Sequence, residues 1–375
     1  GPPGPVWHTE RLVRVAYTLE QCWHRVPGGT ARAALELLRA MDARSDVDFV
    51  GVSAAHRHPP PPAWTPSIPV RSLPLPRLAL YESWHLLRWP PVQRVTGPVE
   101  VIHATAMAVP PRTAPLVAQL YDLAFQRFPE NYTAKGRRFF GQAMRLLHQD
   151  ADLLLCPSTA TIEDCLAAGF PGAKLRLVPL GVAPVEVDPA VAAEVLARYG
   201  LDRPFVLSVG TLEPRKNLPA LVEAFARLGR ADVDLVLVGA AGWKTKVEDL
   251  VRPLGERVRV LGFVPDVDRD ALYASAAVFC YPSLFEGFGL PVLEAMAAGA
   301  AVITSAGIAT AEAAGDAAVL VDPHDVAALS AALGELLADP AAAAELRAAG
   351  RARAAAFTWD RSAELTVQAY RELCP

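Results

Sequence analysis

The stretch YPSLFEGFGLPVLEAMAAGAAVI, residues 281–303, sets two glutamates, Glu286 and Glu294, on either side of a turn that holds two glycines and a proline. Tyr281 closes an apolar run that reads as a buried strand, and EGFGLP must turn the chain into a helix. Pro291 suits the first helical turn, where its missing N–H costs nothing and its φ is already set. Gly287 and Gly289 clear side chains from the approach, so the N–H groups around Phe288, Gly289 and Leu290 stand open to an anion, typically a phosphate. Glu286 precedes the turn and Glu294 lies about one turn inside the helix. The two carboxylates cannot share a helix face, so they would flank the anion rather than hold a metal together. Carboxylates accept hydrogen bonds from hydroxyls and repel phosphate; a nucleotide sugar offers hydroxyls on both sides of its phosphates. Taken alone, the same residues also fit an ordinary strand–turn–helix with exposed glutamates.

A second element weighs against that bland reading. SVGTLEPRKNL (208–218) follows the strand FVLSVG (205–210), so Gly210, Arg215 and Lys216 fall at a strand C-terminus just before a helix. Two adjacent cations there would neutralise a diphosphate without a metal, Arg by its fork and Lys as a point charge. A solvated basic pair is the alternative, but both motifs fall on one edge of one sheet. VDLVLVG (233–239), RVRVLGFV (257–264), AVFCYPS (277–283), AAVITS (300–305) and AAVLVD (317–322) complete the apolar runs, alternating with helical patterns. Such alternation predicts βαβ units on a parallel sheet buried on both faces.

The first half begins the same way, with strands expected over 12–18 and 47–53 around a helix over 30–41. Proline then dominates HRHPPPPAWTPSIPVRSLPLP (56–76), which predicts extended chain without regular ladders. Strands resume at VEVIHAT (99–105), APLVAQLYD (114–122), ADLLLCPS (151–158) and KLRLVPLGV (174–182), and APVEVDP (183–189) reads as a linker. The fold class is therefore α/β: two doubly wound, Rossmann-like lobes facing across a cleft, where strand C-termini and any ligand meet.

At 375 residues the chain has room for two or three domains of roughly 150 residues each. Its 52% apolar and 20% charged residues fit a globular protein, and a net charge of −4 argues against nucleic acid as a partner. Five scattered cysteines without C-x-x-C spacing read as reduced thiols. With no signal-peptide pattern and no spanning apolar run, the expected location is the cytoplasm, including peripheral contact at the inner membrane face. Asp-x-Asp pairs occur at Asp46, Asp232 and Asp266, in contexts that favour turns and caps over metal binding. No P-loop and no G-x-G-x-x-G follows a strand, which removes the anchors of ATPase and dehydrogenase readings.

GTLEPRKNL, GFVPDVDRDALYASAAVFCYPSLFEGFGLPVLEAMAAGAAVI, AGDAAVLVDP and FTWDRSAELTVQAYREL together resemble the retaining glycosyltransferases of family 4, which have the GT-B fold. The likeness runs from PGGTARAALELLRAM (27–41) to the end and is strongest over 206–323. It implies an N-terminal acceptor domain (1–185), a C-terminal nucleotide-sugar domain (186–356) and a final helix (357–375) crossing back to the first. It further implies that Glu286 contacts the transferred sugar, that Glu294 holds the ribose, and that Arg215 and Lys216 bind the diphosphate. Gly210, Gly287, Phe288, Gly289 and Leu290 would line the donor. Gly28 and Gly29 match the family's first-loop glycines, which let acceptor or diphosphate approach the backbone, and His103 stands where the family often has histidine at a strand end.

One departure is clear. In LYDLAF (120–125), Tyr121 replaces the family's usual histidine beside the reacting sugar, while Asp122 keeps the pattern. Tyrosine can donate to a sugar hydroxyl but cannot carry positive charge. The implied reaction is metal-independent, retaining transfer of a hexose from a GDP- or UDP-linked donor to a hydroxyl acceptor that is a glycan, lipid-linked or small; no cofactor is called for. GTLEPRKNL leans toward mannose. Another GT-B activity, epimerase or phosphorylase, and a non-catalytic nucleotide-sugar binder stay open. Trp64, Trp84 and Trp89, interleaved with Arg71, Arg77, Arg88 and Arg94, fit either a solvated loop over a helix or contact with an anionic membrane surface.

Overall fold

The computed structural model describes residues 12–24, 28–240, 242 and 247–374. Its first sheet is built from β1 (Val13–Thr18), β2 (Val47–Ser53), β3 (Val70–Ser72), β4 (Val101–Ala104), β5 (Leu116–Gln119), β6 (Leu153–Cys156) and β7 (Leu175–Leu177). The strands lie in the order β3-β2-β1-β4-β5-β6-β7. A second sheet comprises β8 (Phe205–Val209), β9 (Asp234–Val238), β10 (Val258–Gly262), β11 (Val278–Tyr281), β12 (Val302–Ser305) and β13 (Val319–Val321), ordered β10-β9-β8-β11-β12-β13. Every pairing in both sheets is parallel. The winding reverses between β1 and β4 and again between β8 and β11. Each reversal is the crevice in which doubly wound sheets bind ligands.

Period-two patterning explains why the strands are apolar throughout. Along β1, Val15 and Tyr17 enter the core on one face and Ala16 the core on the other, so both faces carry helices. The proline content predicts no strand over residues 56–76, yet β3 forms there and pairs with the outer side of β2 through Gly51↔Val70 and Ser53↔Ser72. Three residues without proline suffice at a sheet edge. Pro69 and Pro74 flank the strand, and the Pro69 carbonyl accepts from the Gly51 N–H at 2.9 Å.

The two crossings between the lobes run side by side. Val182 donates to the Phe357 carbonyl at 2.9 Å, and Gly181 passes so close to Trp359 that a Cβ would lie 2.3 Å from its backbone nitrogen. Beyond this crossing the last helix, Trp359–Leu373, packs Ala363, Val367 and Tyr370 into the first lobe's core beside Ala34, Leu38 and Met41 of the helix Gly28–Asp42. Among the described residues, no single helix is long and apolar enough to cross a membrane.

Candidate active site between the lobes

The turn after β11 carries Glu286 into a buried nest of donors. Its carboxylate accepts from Arg215 Nη1 at 2.7 Å, Lys216 Nζ at 2.5 Å, Ser283 Oγ at 2.7 Å and the Tyr281 hydroxyl at 2.9 Å. Arg215 and Lys216 close the short 3-10 turn Pro214–Lys216 after β8, and the Leu284 N–H donates to the Arg215 carbonyl at 2.8 Å, lacing the two loops together. Arg215 also pairs with Glu213 at 2.8 Å. Burial alone would raise the pKa of Glu286, but Arg215 and then Lys216 outweigh it and hold the carboxyl down at about 2. Glu286 therefore stays ionised. Burial pulls Lys216 below its ordinary value, with Glu286 opposing the shift. Gly210 lies against this cluster: a Cβ there would stand 3.6 Å from Lys216 Cε.

The glycines of the turn also lie against protein. A Cβ on Gly287 would fall 1.8 Å from the Tyr121 carbonyl and 2.8 Å from Asp122 Cβ, so this glycine admits the opposite lobe's backbone. Gly289, at φ +110, faces Thr310, whose Cγ2 would be 2.9 Å away. Phe288 turns into the core and meets Phe357 edge-on at 5.8 Å, and Leu290, first in the helix Leu290–Ala298, packs partly against the same core. The Gly287 carbonyl accepts from two hydroxyls of the first lobe, Ser158 at 2.7 Å and Thr161 at 2.9 Å. Beside them Glu312 of the second lobe accepts from Thr159 N at 2.8 Å and Ala160 N at 3.2 Å, capping the helix Thr159–Ala167 across the interface. Ser158, Thr161 and Glu312 carry no local sequence signature that marks this contact.

Glu294 stands apart from Glu286, in a second polar cluster. It accepts from the Tyr273 hydroxyl at 3.2 Å and lies 3.9 Å from Arg32 of the first lobe. Burial raises its pKa, with Arg269 and Arg32 pulling the other way. Gly28 and Gly29 begin the helix that bears Arg32, and among the described residues a Cβ on either would meet nothing within 4 Å. Tyr121 points its hydroxyl at the Thr30 carbonyl, 3.5 Å away, and Asp122 caps the Ala124 N–H at 2.9 Å while its charge helps to raise the pKa of Arg215.

His103 departs from expectation. It is fully buried in β4, bonded through Nδ1 to the Tyr370 hydroxyl at 2.6 Å and set edge-on to Tyr17; burial pushes its pKa down to about 3. Through that bond it ties the first sheet to the returning helix. The Asp-x-Asp residues are likewise held by protein cations: Asp46 by Arg44 and Arg371, and Asp268 by Arg198 together with the Tyr199 hydroxyl. Trp84 is buried and Arg88 bonds the Val109 and Pro110 carbonyls, so these two serve packing, while Trp89 is exposed beneath Arg94.

Two facing doubly wound lobes with a charged nest at the strand ends of the second define a GT-B glycosyltransferase. The description Glycosyltransferase Family 4 matches residues 27–186, and Glycosyl transferases group 1 matches 194–353. O-antigen chain mannosyltransferase B of Escherichia coli is 32% identical over 286 residues, covering 73% of this chain and 74% of that protein. The GDP-mannose-dependent alpha-(1-6)-phosphatidylinositol monomannoside mannosyltransferase of Mycolicibacterium smegmatis is 35% identical over 228 residues, covering 56% of this chain and 59% of that one. Among solved structures, Anabaena Alr3699/HepE in complex with UDP and glucose superposes with a TM-score of 0.74 at 19% identity, covering 96% of this chain and 100% of that one. The chain belongs to the family 4 glycosyltransferases and is mannosyltransferase-like.

Proposed function

We propose that the protein is a retaining, metal-independent hexosyltransferase that moves mannose from a nucleoside diphosphate donor to a hydroxyl of a glycan or glycan-like acceptor. The donor would lie against the second lobe and the acceptor against the first. The observation that carries this reading is the cluster of Glu286, Arg215 and Lys216, at the strand C-termini of the second sheet and opposite the backbone of Tyr121 and Asp122. A preorganised pair of cations in a water-poor site stabilises charge as it develops on a leaving group. Arg215 and Lys216 would receive the departing diphosphate, whose oxygen takes the acceptor's proton. Glu286, freed in part from its cations, would accept from sugar hydroxyls, and Glu294 from the ribose. The GDP-mannose dependence of one relative and the UDP bound in one structural neighbour support a nucleotide-sugar donor; the mannosyltransferase relatives favour mannose.

Incubation with GDP-mannose, UDP-glucose and UDP-N-acetylglucosamine, with and without glycan acceptors, tests the reading. Expected are transfer from GDP-mannose, an α-anomeric product by NMR, and full activity in EDTA. Transfer from none of these donors, or activity lost to EDTA and restored by manganese, would overturn it.

A further inference from the structure

Arg32 reaches across the cleft from the first lobe to the second. It lies one turn past Gly28 on the helix Gly28–Asp42, and its Nη2 donates to Asp266 Oδ1 at 2.5 Å. Nη1 stands 3.9 Å from Glu294 Oε1, near enough for attraction and too far for a hydrogen bond. A guanidinium has five N–H donors, and among the described residues Asp266 takes the one hydrogen bond that Arg32 makes. Asp266 does not depend on that bond, because Arg269 Nη1 also pairs with it at 3.0 Å. Arg269 in turn holds Asp270 at 2.7 Å. The cluster thus contains three carboxylates, Asp266, Asp270 and Glu294, facing two guanidiniums, and Arg32 is the member whose departure leaves no acid without a cation. Gly28 and Gly29 start the same helix, and among the described residues a Cβ on either would meet nothing within 4 Å.

We propose that Arg32 is a donor-phosphate ligand supplied by the acceptor lobe. When a nucleoside diphosphate sugar enters, the guanidinium exchanges Asp266 for phosphate oxygens while Glu294 takes the ribose hydroxyls, and occupancy of the second lobe draws the first onto it. The exchange suits Arg32 because phosphate offers the fork a two-oxygen partner that Asp266 does not provide here. The inference rests on the donor reading above and names a residue that sequence motifs did not single out.

Calorimetric titration of the full chain with GDP, UDP, guanosine and uridine decides it. Arg32→Ala and Arg32→Gln are expected to weaken binding of the preferred diphosphate by about tenfold or more while leaving the matching nucleoside unchanged. Asp266→Asn, which removes only the resting partner, is expected to keep or tighten diphosphate binding. If Arg32 were merely a tie between lobes, Asp266→Asn would weaken binding as much as the Arg32 variants, and that result overturns the proposal. So does wild-type affinity in both Arg32 variants when Glu294→Ala has lost binding, an outcome that leaves the donor reading standing. A wild-type chain that binds neither diphosphate ends the donor reading and this inference with it.

Discussion

The two lobes share a strand order and differ in what they place at the C-terminal ends of their central strands. In the second lobe that position is charged: Glu286, Arg215, Lys216 and Glu213 form one buried network. In the first, apart from Glu20 after β1 and Asp122 after β5, the groups are neutral. Gln21 Nε2 donates to Thr105 Oγ1 at 2.6 Å, the Thr105 hydroxyl donates to the Thr18 carbonyl at 2.5 Å, and Gln119 is buried with both side-chain polar atoms unpartnered. One scaffold therefore carries a charged network at one edge and hydrogen bonds between neutral groups at the other. Under the proposed function, the contrast matches a donor that must lose a diphosphate and an acceptor that must lose only a proton.

The strongest way to break the contrast is to remove charge from the second lobe. Glu286→Gln leaves Lys216 and half of the Arg215 fork buried without a carboxylate. Breaking a buried pair from one side costs about 3–5 kcal/mol, and losing a preorganised electrostatic group costs about 10²–10³ in turnover. Thermal denaturation and donor turnover should both show it. On the neutral edge Gln21→Ala should cost only about 1 kcal/mol, the worth of an ordinary hydrogen bond. Equal losses at the two edges would erase the distinction between the lobes.

Gly287→Ala probes where the edges meet. The new methyl would occupy the place of the Tyr121 carbonyl, so the lobes must part or the donor turn must shift. A displacement of about 1 Å at a reacting centre costs on the order of 10² in rate. Turnover should fall by that factor, and small-angle scattering should report a larger radius of gyration. Unchanged turnover would mean that the contact is incidental to catalysis.

Acidity sharpens the comparison within the second lobe. Glu286 has its folded pKa depressed, so its contribution to stability is present above the ordinary value near 4.5 and is lost as pH falls toward about 2. Glu294 has its pKa raised, so it gains its proton first on acidification, and that protonation favours the fold. Donor affinity should therefore fall on the acid side before the melting temperature does. Glu294→Gln should remove that limb from the affinity profile, and a limb that persists in this variant assigns it elsewhere.

What could be read in advance follows the range of the interactions. The strands of the second lobe were legible because each is a short, continuously apolar run ending at glycine or a turn, a local signal. The pairing of Glu286 with Arg215 and Lys216 was half legible: both motifs could be assigned to one sheet edge, but not their direct bonding to each other. β3 was hidden because the proline count of its surroundings outweighed three permissive residues. The close approach at Gly287 was not visible, since the neighbour is a carbonyl from the other lobe. The bonds that Arg32, Ser158 and Glu312 make across the interface have partners that no window along the chain brings together. His103 misled because burial under the returning helix depends on Tyr370, far along the chain.

The smallest expected effect isolates the interface itself. Glu312 caps the helix Thr159–Ala167 from the other lobe, a carboxylate at two N–H groups of a helix start. Its removal touches neither the charged nest nor the neutral edge, and a cap of this kind is worth roughly 1 kcal/mol. Ser158 and Thr161 still hold the Gly287 carbonyl in Glu312→Ala, so the lobes keep their register. The melting temperature should drop by a few degrees, as about 1 kcal/mol implies for a chain of this size. Turnover at saturating donor should change little, and the donor KM should rise modestly as the interface loosens. A loss of turnover like that of Gly287→Ala would instead make Glu312 a positioning residue for the donor turn and move the boundary of the site outward to the helix it caps.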